Sequence, residues 1–451
     1  MEPEHLRFGG GAASTILHPV VAVGMLIAII AILALPRGKA ITPFLVPYFL
    51  IPVAQVIVVG GLHLLVHQIL IVVVLVKMIS APKGKFAGGF NALDKVVVCW
   101  SLLELTALVV QWMAPQALIK GLGDLVVYLG GYLAVRFLVC DREAGRRMVK
   151  ALALICVIQG ACMLSEQFTH QNVLAFAGAG SPTIREGHVR SEGSMGTLYG
   201  GPFAGASIPF FLWIWRERKC RTIACAGLVG ALTMVVTSHA STSWMAFGGA
   251  MIGLCFWPLR KQMRLLRWGL VATLAGLHLV MNGPVWSLIE KIDLTGGSSS
   301  YHRYMLVDNC IRHFTDWCLI GYRYYGSWGF DMWDLCNQFV VAALTGGLGA
   351  LILYIAIFSK GFGMIGTGRK RIAGDRRQEW FLWCLGSSLL AHVVASFGIN
   401  YMFALMLYFY CLLAAVSMAT FEAAQNRTPK IDRFGPVTNV PADEFVAAES
   451  I

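Results

Sequence analysis

Two stretches of the chain combine arginine, histidine and aromatic residues, and any chemistry is expected there. They cover about residues 168–198 and 283–338, each between long apolar runs. A guanidinium group keeps its charge and binds phosphate through parallel hydrogen bonds, so several arginines around one cavity would suit a phosphate or pyrophosphate group. The candidates are Arg185, Arg190, Arg303, Arg312 and Arg323. The alternative for each arginine is an ion pair with a nearby carboxylate or with an anionic lipid headgroup.

The same stretches contain side chains that could accept a proton. Histidine titrates near neutral pH, which suits a general base, and the histidines here are His188, His302 and His313. Asp331 and Asp334 lie at the outer mouth of the next predicted helix, where a carboxylate could take a hydroxyl proton or bind a sugar. A helix cap or a turn uses the same residue type, so that role remains the alternative.

Aromatic residues are concentrated in the second stretch, where they could stack on sugar rings. They are Tyr322, Tyr324, Tyr325, Trp328, Phe330 and Trp333. An aromatic belt at a membrane interface has the same composition, so the pattern alone does not separate the two roles.

The overall composition requires a membrane environment. Of 451 residues, 57% are hydrophobic and only 13% are charged, and the mean hydropathy is +0.67. A water-soluble domain of this length is far less apolar. The net charge of +12 comes from short basic clusters between apolar runs and not from one basic face, so we expect no nucleic-acid partner.

The cysteines give no metal-binding pattern. The twelve cysteines are scattered singly, without a CxxC pair or a Cys/His spacing of the zinc type, so no metal site is expected. Cys310, Cys318 and Cys336 share the second stretch, and a disulfide among them is left open.

The fold class follows from the apolar runs, because only helices satisfy the backbone of a chain that crosses lipid in single segments. The sequence predicts an all-α, polytopic membrane protein with about 12–13 transmembrane helices. The runs cover residues 16–35, 44–60, 62–76, 96–113, 118–139, 148–165, 199–215, 222–237, 243–257, 265–281, 339–358, 380–397 and 401–419.

Basic clusters occur at every second connection, which sets the orientation. They lie within residues 37–39, 77–85, 142–150, 216–221, 260–267 and 369–377. Because Lys and Arg beside helices are retained on the cytoplasmic side, this alternation predicts a short outward N-terminus over residues 1–15. It also predicts a transmembrane domain over 16–421 and a disordered cytoplasmic tail over 422–451. Both long stretches then face outward and carry positive charge against the rule, which favours an anionic ligand.

Four ionisable residues fall inside predicted helices: Glu104, Lys120, Asp124 and Arg136. Such residues often mark a proton or ion pathway, so a transporter or flippase for a polysaccharide or a lipid-linked sugar is the main alternative function. Lys120 and Asp124 are four residues apart and can neutralise each other. Transporters usually contain repeated halves with broken helices at matching positions, and the sequence shows no such repeat.

The order of motifs from the second stretch onward resembles a known superfamily. GGSSSYHRYMLVDNCIRHFTDWCLIGY leads into WDLCNQFVVAALTGGLGALILYI. This order resembles the O-antigen ligase and polymerase superfamily of lipid-linked glycan transferases. The shared features are a Ser/Gly-rich start, an arginine, an amphipathic helix, a hydrophobic–Gly turn and an asparagine before a Gly-rich helix. Matching positions are Arg303, Gly321, Asn337, Gly346, Gly347 and Gly349.

The first stretch and the connection near residue 240 extend this resemblance, which covers about the last 260 residues. VRSEGSMGTLYGGPFAGASIPFF resembles the Arg–Gly entry into a helix and places Arg190 at the motif arginine, while TSHASTSWMAF resembles a Ser-rich connection. Two positions differ. Cys336 stands where the family often has histidine, and residues 242–244 lack the arginine that is common in that connection.

The resemblance implies transfer of a glycan from an undecaprenyl-pyrophosphate donor to a sugar or lipid acceptor. The reaction would take place at the outer leaflet of a bacterial inner membrane during surface polysaccharide assembly, among membrane lipids and other assembly proteins, without a cofactor. Arg190 and Arg303 would stabilise the leaving pyrophosphate, and His313, Asp334 or Glu192 would act as the base. The residues expected at the acceptor sugar are Glu192, Tyr325, Trp328, Trp333 and Asn337. A non-catalytic scaffold for polysaccharide assembly is the remaining alternative.

Overall fold

The protein is an all-α polytopic membrane protein, as the sequence predicts. The computed structural model describes residues 14–82, 86–291 and 299–425, and it is 72% helical. The predicted outward end at residues 1–13, the basic residues 83–85, the Gly/Ser segment 292–298 and the tail from 426 lie outside the described residues.

The first half of the fold contains seven α-helices, one π-helical turn and one β-hairpin within the described ranges. These elements are α1 (Pro19–Ala34), α2 (Ile41–Leu50), β1 (Val56–Val59), β2 (Leu62–Leu65), α3 (Val66–Ile79), α4 (Ala92–Trp112), α5 (Pro115–Leu125), a π-helical turn (Val126–Gly130), α6 (Gly131–Leu138) and α7 (Arg142–Thr169).

The second half begins with a short hairpin and continues as helices. These elements are β3 (Thr183–Arg185), β4 (His188–Arg190), α8 (Gly200–Trp215), α9 (Arg221–Thr237), α10 (Ser241–Cys255), α11 (Met263–Val280), α12 (Ser299–Arg312), α13 (Phe314–Trp317), α14 (Gln338–Arg371), α15 (Arg376–Ser396) and α16 (Phe403–Gln425).

Six helical segments of the described chain are long and apolar enough to cross a membrane. They are Pro115–Leu138, Arg142–Thr169, Arg218–Thr237, Met263–Val280, Gln338–Arg371 and Phe403–Gln425. The helices α1, α2 and α3 are also apolar but shorter, with 16, 10 and 14 residues. These segments make the chain a multi-pass membrane protein.

The prediction of one helix over 44–60 and a second from residue 62 is wrong in part. Helix α2 ends at Leu50, because Ile51 precedes Pro52 and adopts an extended conformation. The chain then forms an antiparallel hairpin, β1 with β2, that turns at Gly60 and Gly61, both with positive φ. Four β-branched residues, VIVV, followed by a Gly-Gly turn are typical of a two-residue hairpin. The high hydropathy of the same residues favours a membrane helix instead, and that prediction is wrong here.

Helix α16 forms the centre of the bundle, since 89% of its most apolar 18-residue segment is buried. It packs against α6, α8, α14 and α15. By contrast, α11 buries none of its residues and stands at the periphery. The core is therefore built around the last helix, which the sequence alone did not distinguish from the other apolar runs.

One of the four ionisable residues inside predicted helices, Arg136, is paired in the core with Asp94. Arg136 and Asp94 are both buried, with Nε and Oδ1 3.1 Å apart. The Tyr132 hydroxyl donates to the same Oδ1 at 2.5 Å, and Arg136 Nη2 donates to the Ala87 carbonyl at 2.7 Å. The Asp94 carboxylate neutralises the buried Arg136 charge, so this arginine has a structural role, although its Nη1 makes no hydrogen bond within the described residues.

Candidate functional site

The segment that carries Arg190 is held in place by the last two turns of α7. The Glu166 carboxylate accepts hydrogen bonds from the backbone amides of Glu192 at 2.7 Å and Gly193 at 2.9 Å. The Gln167 side-chain amide donates to the carbonyl of Val189 at 2.8 Å. Residues on both sides of Arg190 are thus fixed to one long helix, which limits how far the guanidinium can move.

Arg303 lies on α12, in the second stretch, and is buried, with only 6% of its surface exposed. Its positive charge lowers the pKa of Arg190, although burial and the nearby Arg185 lower that pKa more strongly. The structure therefore brings Arg190 and Arg303 near each other although 113 positions separate them in the sequence (303 − 190). Gathering like charges in a half-buried place is unfavourable unless an anion joins them.

Neither Arg190 nor Arg303 is neutralised by a carboxylate within the described residues, as judged by the absence of ion pairs. The Nε atom of each side chain is buried and makes no hydrogen bond inside the described ranges. Buried donors normally have partners, so these two atoms indicate a site that is completed by a ligand.

Two histidines extend this positive cluster. The rings of His188 and His239 stack, with centroids 4.9 Å apart and planes 6° apart. Burial lowers the pKa of His239, and the neighbouring His188 and Arg190 lower it further. His239 belongs to the Ser-rich connection near residue 240, and its lowered pKa leaves the ring neutral at pH 7. Only its place in that connection could have singled out His239 from the sequence.

An apolar cavity of about 230 Å³ adjoins Arg303. Its other lining residues are Met245, Ile289, Val394 and Phe397. A cavity with one arginine and otherwise apolar walls is suited to a molecule that joins a hydrocarbon chain to a charged group.

On the other side of Arg303, three potential metal ligands come close together. The ligand atoms of His302, Asp334 and Cys336 all lie within 4.8 Å of one another. The His302 Nε2 lies 2.8 Å from the Asp334 carbonyl. Burial raises the pKa of the Cys336 thiol to about 12, against a smaller opposing effect of Arg303, so the thiol is neutral at physiological pH. Cys310, Cys318 and Cys336 are free thiols, and none of them forms a disulfide.

The other predicted phosphate ligands do not join the cluster in the same way. Arg185 is near Arg190 but is exposed and lies 3.8 Å from the Glu186 carboxylate. Arg312 is exposed and is paired with Asp308 at 2.7 Å. Arg323 stacks on the rings of Trp112 and Tyr324, at 4.7 and 4.5 Å from their centroids. The alternative, an ion pair with a nearby carboxylate, therefore describes Arg312, whereas Arg323 contacts two aromatic rings.

His313 lies in an aromatic stack. Its ring is 4.6 Å from that of Trp328, which in turn stacks on Tyr322 at 5.4 Å. Its Nδ1 lies 3.1 Å from the Asp316 carboxylate. This half-exposed arrangement shows no contact with Arg190 or Arg303 in the described chain. Among the other predicted bases, Asp334 is grouped with Cys336, whose thiol is hydrogen-bonded to Arg303, and Glu192 follows Arg190 by two residues in the chain.

The residues predicted at the acceptor sugar are spread over several places. Trp333 is exposed and packs against Tyr325, with ring centroids 5.8 Å apart. Asn337 is buried, and its side-chain oxygen accepts hydrogen bonds from Phe339 at 2.9 Å and from Val340 at 3.3 Å, which caps α14. Asn337 thus positions the helix behind Cys336.

Glu192 lines a second cavity, of about 300 Å³, together with Tyr199. Burial raises the pKa of Glu192, and the negative charge of Glu166 adds to the shift. Burial also raises the pKa of Tyr199 to about 12, with a further contribution from Asp334. Tyr199 therefore lies within the electrostatic reach of Asp334 while it lines the cavity that contains Glu192.

The motif glycines of the second half allow two backbones to touch. Helix α14 is broken at Gly347, where φ is 70° and ψ is −168°. Tyr322 donates its backbone N–H to the Leu344 carbonyl at 2.8 Å, and Leu348 donates to the Cys318 carbonyl at 2.9 Å. A Cβ on Gly321 would lie 2.1 Å from the Leu344 oxygen, so glycine is required at this contact.

Comparison with models of known protein families gives no match for this chain. Comparison with curated proteins gives no match either.

Proposed function

We propose that this protein is a membrane glycosyltransferase of the O-antigen ligase or polymerase type. It transfers a glycan from an undecaprenyl-pyrophosphate donor to a sugar acceptor at the outer leaflet of the bacterial inner membrane, during surface polysaccharide assembly. The observation that carries this proposal is the convergence of Arg190 and Arg303, neither of them paired with a carboxylate in the described chain.

The charges suit the departure of a pyrophosphate group. The acceptor hydroxyl oxygen attacks the anomeric carbon, and the bond from that carbon to the pyrophosphate oxygen breaks. The bonding pair leaves with the pyrophosphate, whose growing negative charge is stabilised by the two guanidinium groups. The hydroxyl proton passes to a carboxylate, for which the candidates are Glu192, two residues after Arg190, and Asp334, grouped with Cys336 beside Arg303.

The apolar surroundings suit a lipid-linked donor. The 230 Å³ cavity beside Arg303 has four apolar lining residues and offers room for the start of an isoprenoid chain. Helix α11, which precedes the segment that contains Ile289, has no buried residue and stands at the periphery of the bundle, where lipid would surround it. One amphipathic ligand could therefore place its pyrophosphate group at Arg303 and its hydrocarbon chain in the membrane.

The direct test measures binding of undecaprenyl pyrophosphate to purified protein in nanodiscs and compares surface glycans of a deletion strain complemented with each variant. Arg303→Ala should lose glycan transfer by about 10²–10³-fold, the usual effect of removing one stabilising donor. Arg312→Ala is the matched control, since that arginine lies on the same helix but is exposed and paired with Asp308.

Full activity of Arg303→Ala at normal expression would contradict the proposal. Loss of glycan attachment while long lipid-linked chains persist would indicate a ligase. Accumulation of single repeat units would indicate a polymerase.

A transporter is the second candidate, and one observation favours it. The break of α14 at Gly347 lies next to Glu104, whose carboxylate accepts a hydrogen bond from the Thr345 hydroxyl at 3.0 Å. Lys120 and Asp124, 2.6 Å apart, line the same cavity of about 160 Å³. Broken helices beside ionisable residues are common at transport sites.

A further inference from the structure

The 300 Å³ cavity lies at the same end of the bundle as Arg190. It is enclosed by the end of α2, residues 51–54, residues 178–180, residues 192–199 and the start of α16. Glu192 is only two residues beyond Arg190, so a molecule in this cavity would lie near the positive cluster. A volume of 300 Å³ is at the lower end for small-molecule sites and suits one ring better than a chain of rings.

Two buried side chains on the cavity wall each have one polar atom without a partner among the described residues, although the His67 ring also hydrogen-bonds to the backbone of Tyr48 and Ile51. Tyr48 is 1% exposed and His67 is 2% exposed, and both line the cavity. The Tyr48 hydroxyl and the His67 Nδ1 make no hydrogen bond within the residues that the structure describes. Their rings pack edge to face at 4.7 Å, which fixes both side chains.

The hydroxyls of Ser194 and Tyr199 on the same wall do have partners, unlike the Tyr48 hydroxyl and the His67 Nδ1. The Ser194 hydroxyl donates to the Phe49 carbonyl at 2.6 Å. The Tyr199 hydroxyl donates to the Asn400 side-chain oxygen at 3.1 Å. Because buried polar groups nearly always have partners, the two that lack them indicate a ligand with its own donors and acceptors.

The Glu192 carboxylate supplies a third unused group. It forms no ion pair and no side-chain hydrogen bond in the described ranges, although its backbone amide is bound by Glu166. It lies against Gly180, where a Cβ would come within 2.0 Å of Glu192 Oε2. Glycine at 180 therefore allows the carboxylate to occupy this position.

The chemistry of the wall selects the class of ligand. No lysine or arginine lines the cavity among the described residues, so a phosphate group is disfavoured there. A carboxylate, a phenol and an imidazole can each bind hydroxyl groups, and the rings of Tyr48, Phe49 and Phe403 offer apolar faces. A neutral ring that bears several hydroxyl groups satisfies both features.

We propose that this cavity binds a single neutral sugar ring through Glu192, Tyr48 and His67. The assignment of that ring as the acceptor rests on the proposed function. In that reaction the hydroxyl oxygen of the acceptor sugar bonds to the anomeric carbon of the donor, and Glu192 takes the hydroxyl proton. The pyrophosphate leaves with the pair of electrons from the broken bond. Sugar binding itself does not depend on the pyrophosphate site.

The experiment uses the full chain in nanodiscs and a panel of methyl hexosides and methyl N-acetylhexosaminides, with binding followed by saturation-transfer NMR. At least one glycoside should bind saturably. Glu192→Gln, which keeps the shape of the side chain, should weaken binding at least about tenfold, the effect expected for one charge-assisted hydrogen bond. Glu186→Gln is the control, because that exposed carboxylate lies in the same stretch.

A second variant tests whether the cavity volume is needed for binding, independently of the polar groups. Ala404 lines the cavity, and Ala404→Leu should fill it and abolish binding. Thermal unfolding of each variant shows that the fold is kept. Absence of saturable binding by the whole panel in the wild-type protein, or unchanged binding in both Glu192→Gln and Ala404→Leu, would overturn the inference.

The two proposals fail in different ways. Arg303→Ala should keep glycoside binding and lose undecaprenyl pyrophosphate binding. If glycosides bind but undecaprenyl pyrophosphate does not, the sugar site stands and the transferase function falls. If the lipid binds while the glycosides do not, the transferase function stands and the acceptor cavity is wrong.

Discussion

The rings of His188 and His239 lie face to face, with centroids 4.9 Å apart, and join the stretch at residues 168–198 to the Ser-rich connection near residue 240. Ser191 strengthens the same junction, because its backbone amide donates to the Thr237 carbonyl at 3.1 Å. The pair lies beside Arg190, whose charge lowers the pKa of His239 together with burial and His188. An anion at Arg190 would reverse part of that shift.

The first prediction is that pyrophosphate binding strengthens as the pH falls. In the free protein the pKa of His239 lies below its ordinary value of 6.5, mainly because of burial, so the ring is neutral at pH 7. A bound anion favours the protonated ring and raises this pKa, so affinity increases as the pH drops through 6.5 toward the lowered value. Calorimetry with pyrophosphate between pH 5 and 8 measures this, and each unit of induced shift changes affinity about tenfold.

His239→Gln separates this effect from the titration of pyrophosphate itself. The variant should retain binding near pH 8 and lose the protein's part of the strengthening at low pH. An identical pH profile in the wild type and His239→Gln would show that the ring does not face the anion.

The second prediction concerns repulsion between Arg190 and Arg303. Without an anion, Arg190→Gln or Arg303→Gln should leave the melting temperature unchanged or raise it. Each substitution removes the repulsion between two nearby positive charges that no carboxylate neutralises in the described chain. With pyrophosphate at about 100 times its Kd, only the wild type should gain about 2.7 kcal/mol in the free energy of unfolding. Thermal unfolding with and without pyrophosphate checks both parts, and equal stabilisation of all three proteins would contradict it.

The third prediction concerns Glu166, which positions the Arg190 segment without touching the ligand. Glu166→Ala removes the acceptor of two backbone amides and should destabilise the protein by about 1–3 kcal/mol. Pyrophosphate binding should weaken as well, because Arg190 loses its fixed position. Glu166→Gln keeps one acceptor oxygen and should restore most of the binding. Equal loss in Ala and Gln variants would mean that the negative charge matters and the positioning does not.

The fourth prediction concerns the contact of Gly321 with α14. Gly321 has φ of 87°, and a Cβ there would meet the Leu344 oxygen at 2.1 Å. Gly321→Ala should therefore destabilise the protein by at least about 1–3 kcal/mol. The control is Gly363→Ala in the same α14, where a Cβ meets nothing within 4 Å and helix propensity favours alanine. Thermal unfolding in detergent compares the two, and similar melting temperatures would argue against the close contact.

The fifth prediction separates the transferase from the transporter. Glu104→Gln and Asp124→Asn should leave glycan transfer within a few-fold of wild type, since neither residue lies at the arginine cluster. A transporter that uses the cavity of Glu104, Lys120 and Asp124 would lose its activity in both variants. The surface-glycan profile of complemented deletion strains provides the measurement.

The sequence predicted much of the architecture because lipid imposes simple rules on a chain. Apolar runs marked the membrane helices, and the four-residue spacing of Lys120 and Asp124 predicted their ion pair, which the structure shows at 2.6 Å. The failure at residues 51–65 has a local reason. Hydropathy does not distinguish a buried helix from an apolar hairpin, and here Pro52 and the Gly60–Gly61 turn determined the backbone.

The candidate site was predictable only in its residue types. Arginine in both outward stretches was visible, but the spacing in sequence could not show that Arg312 and Arg323 have local partners while Arg190 and Arg303 lack carboxylates in the described chain. The roles of His239, Tyr48 and His67 were not predicted at all, because each lies in or beside an apolar run where a single polar residue has no periodic pattern.

The amino-acid sequence by itself determined that this chain belongs in a membrane, that it forms many helices, and that two long connections between apolar runs contain arginine. These properties follow from composition and order, since transfer from water to lipid depends on the side chains of each segment. Only the tertiary structure decided which charges meet. Electrostatic energy and hydrogen bonding depend on distance and burial, and the folded bundle alone brings Arg190 beside Arg303 and sets Glu192 in a cavity with Tyr48 and His67.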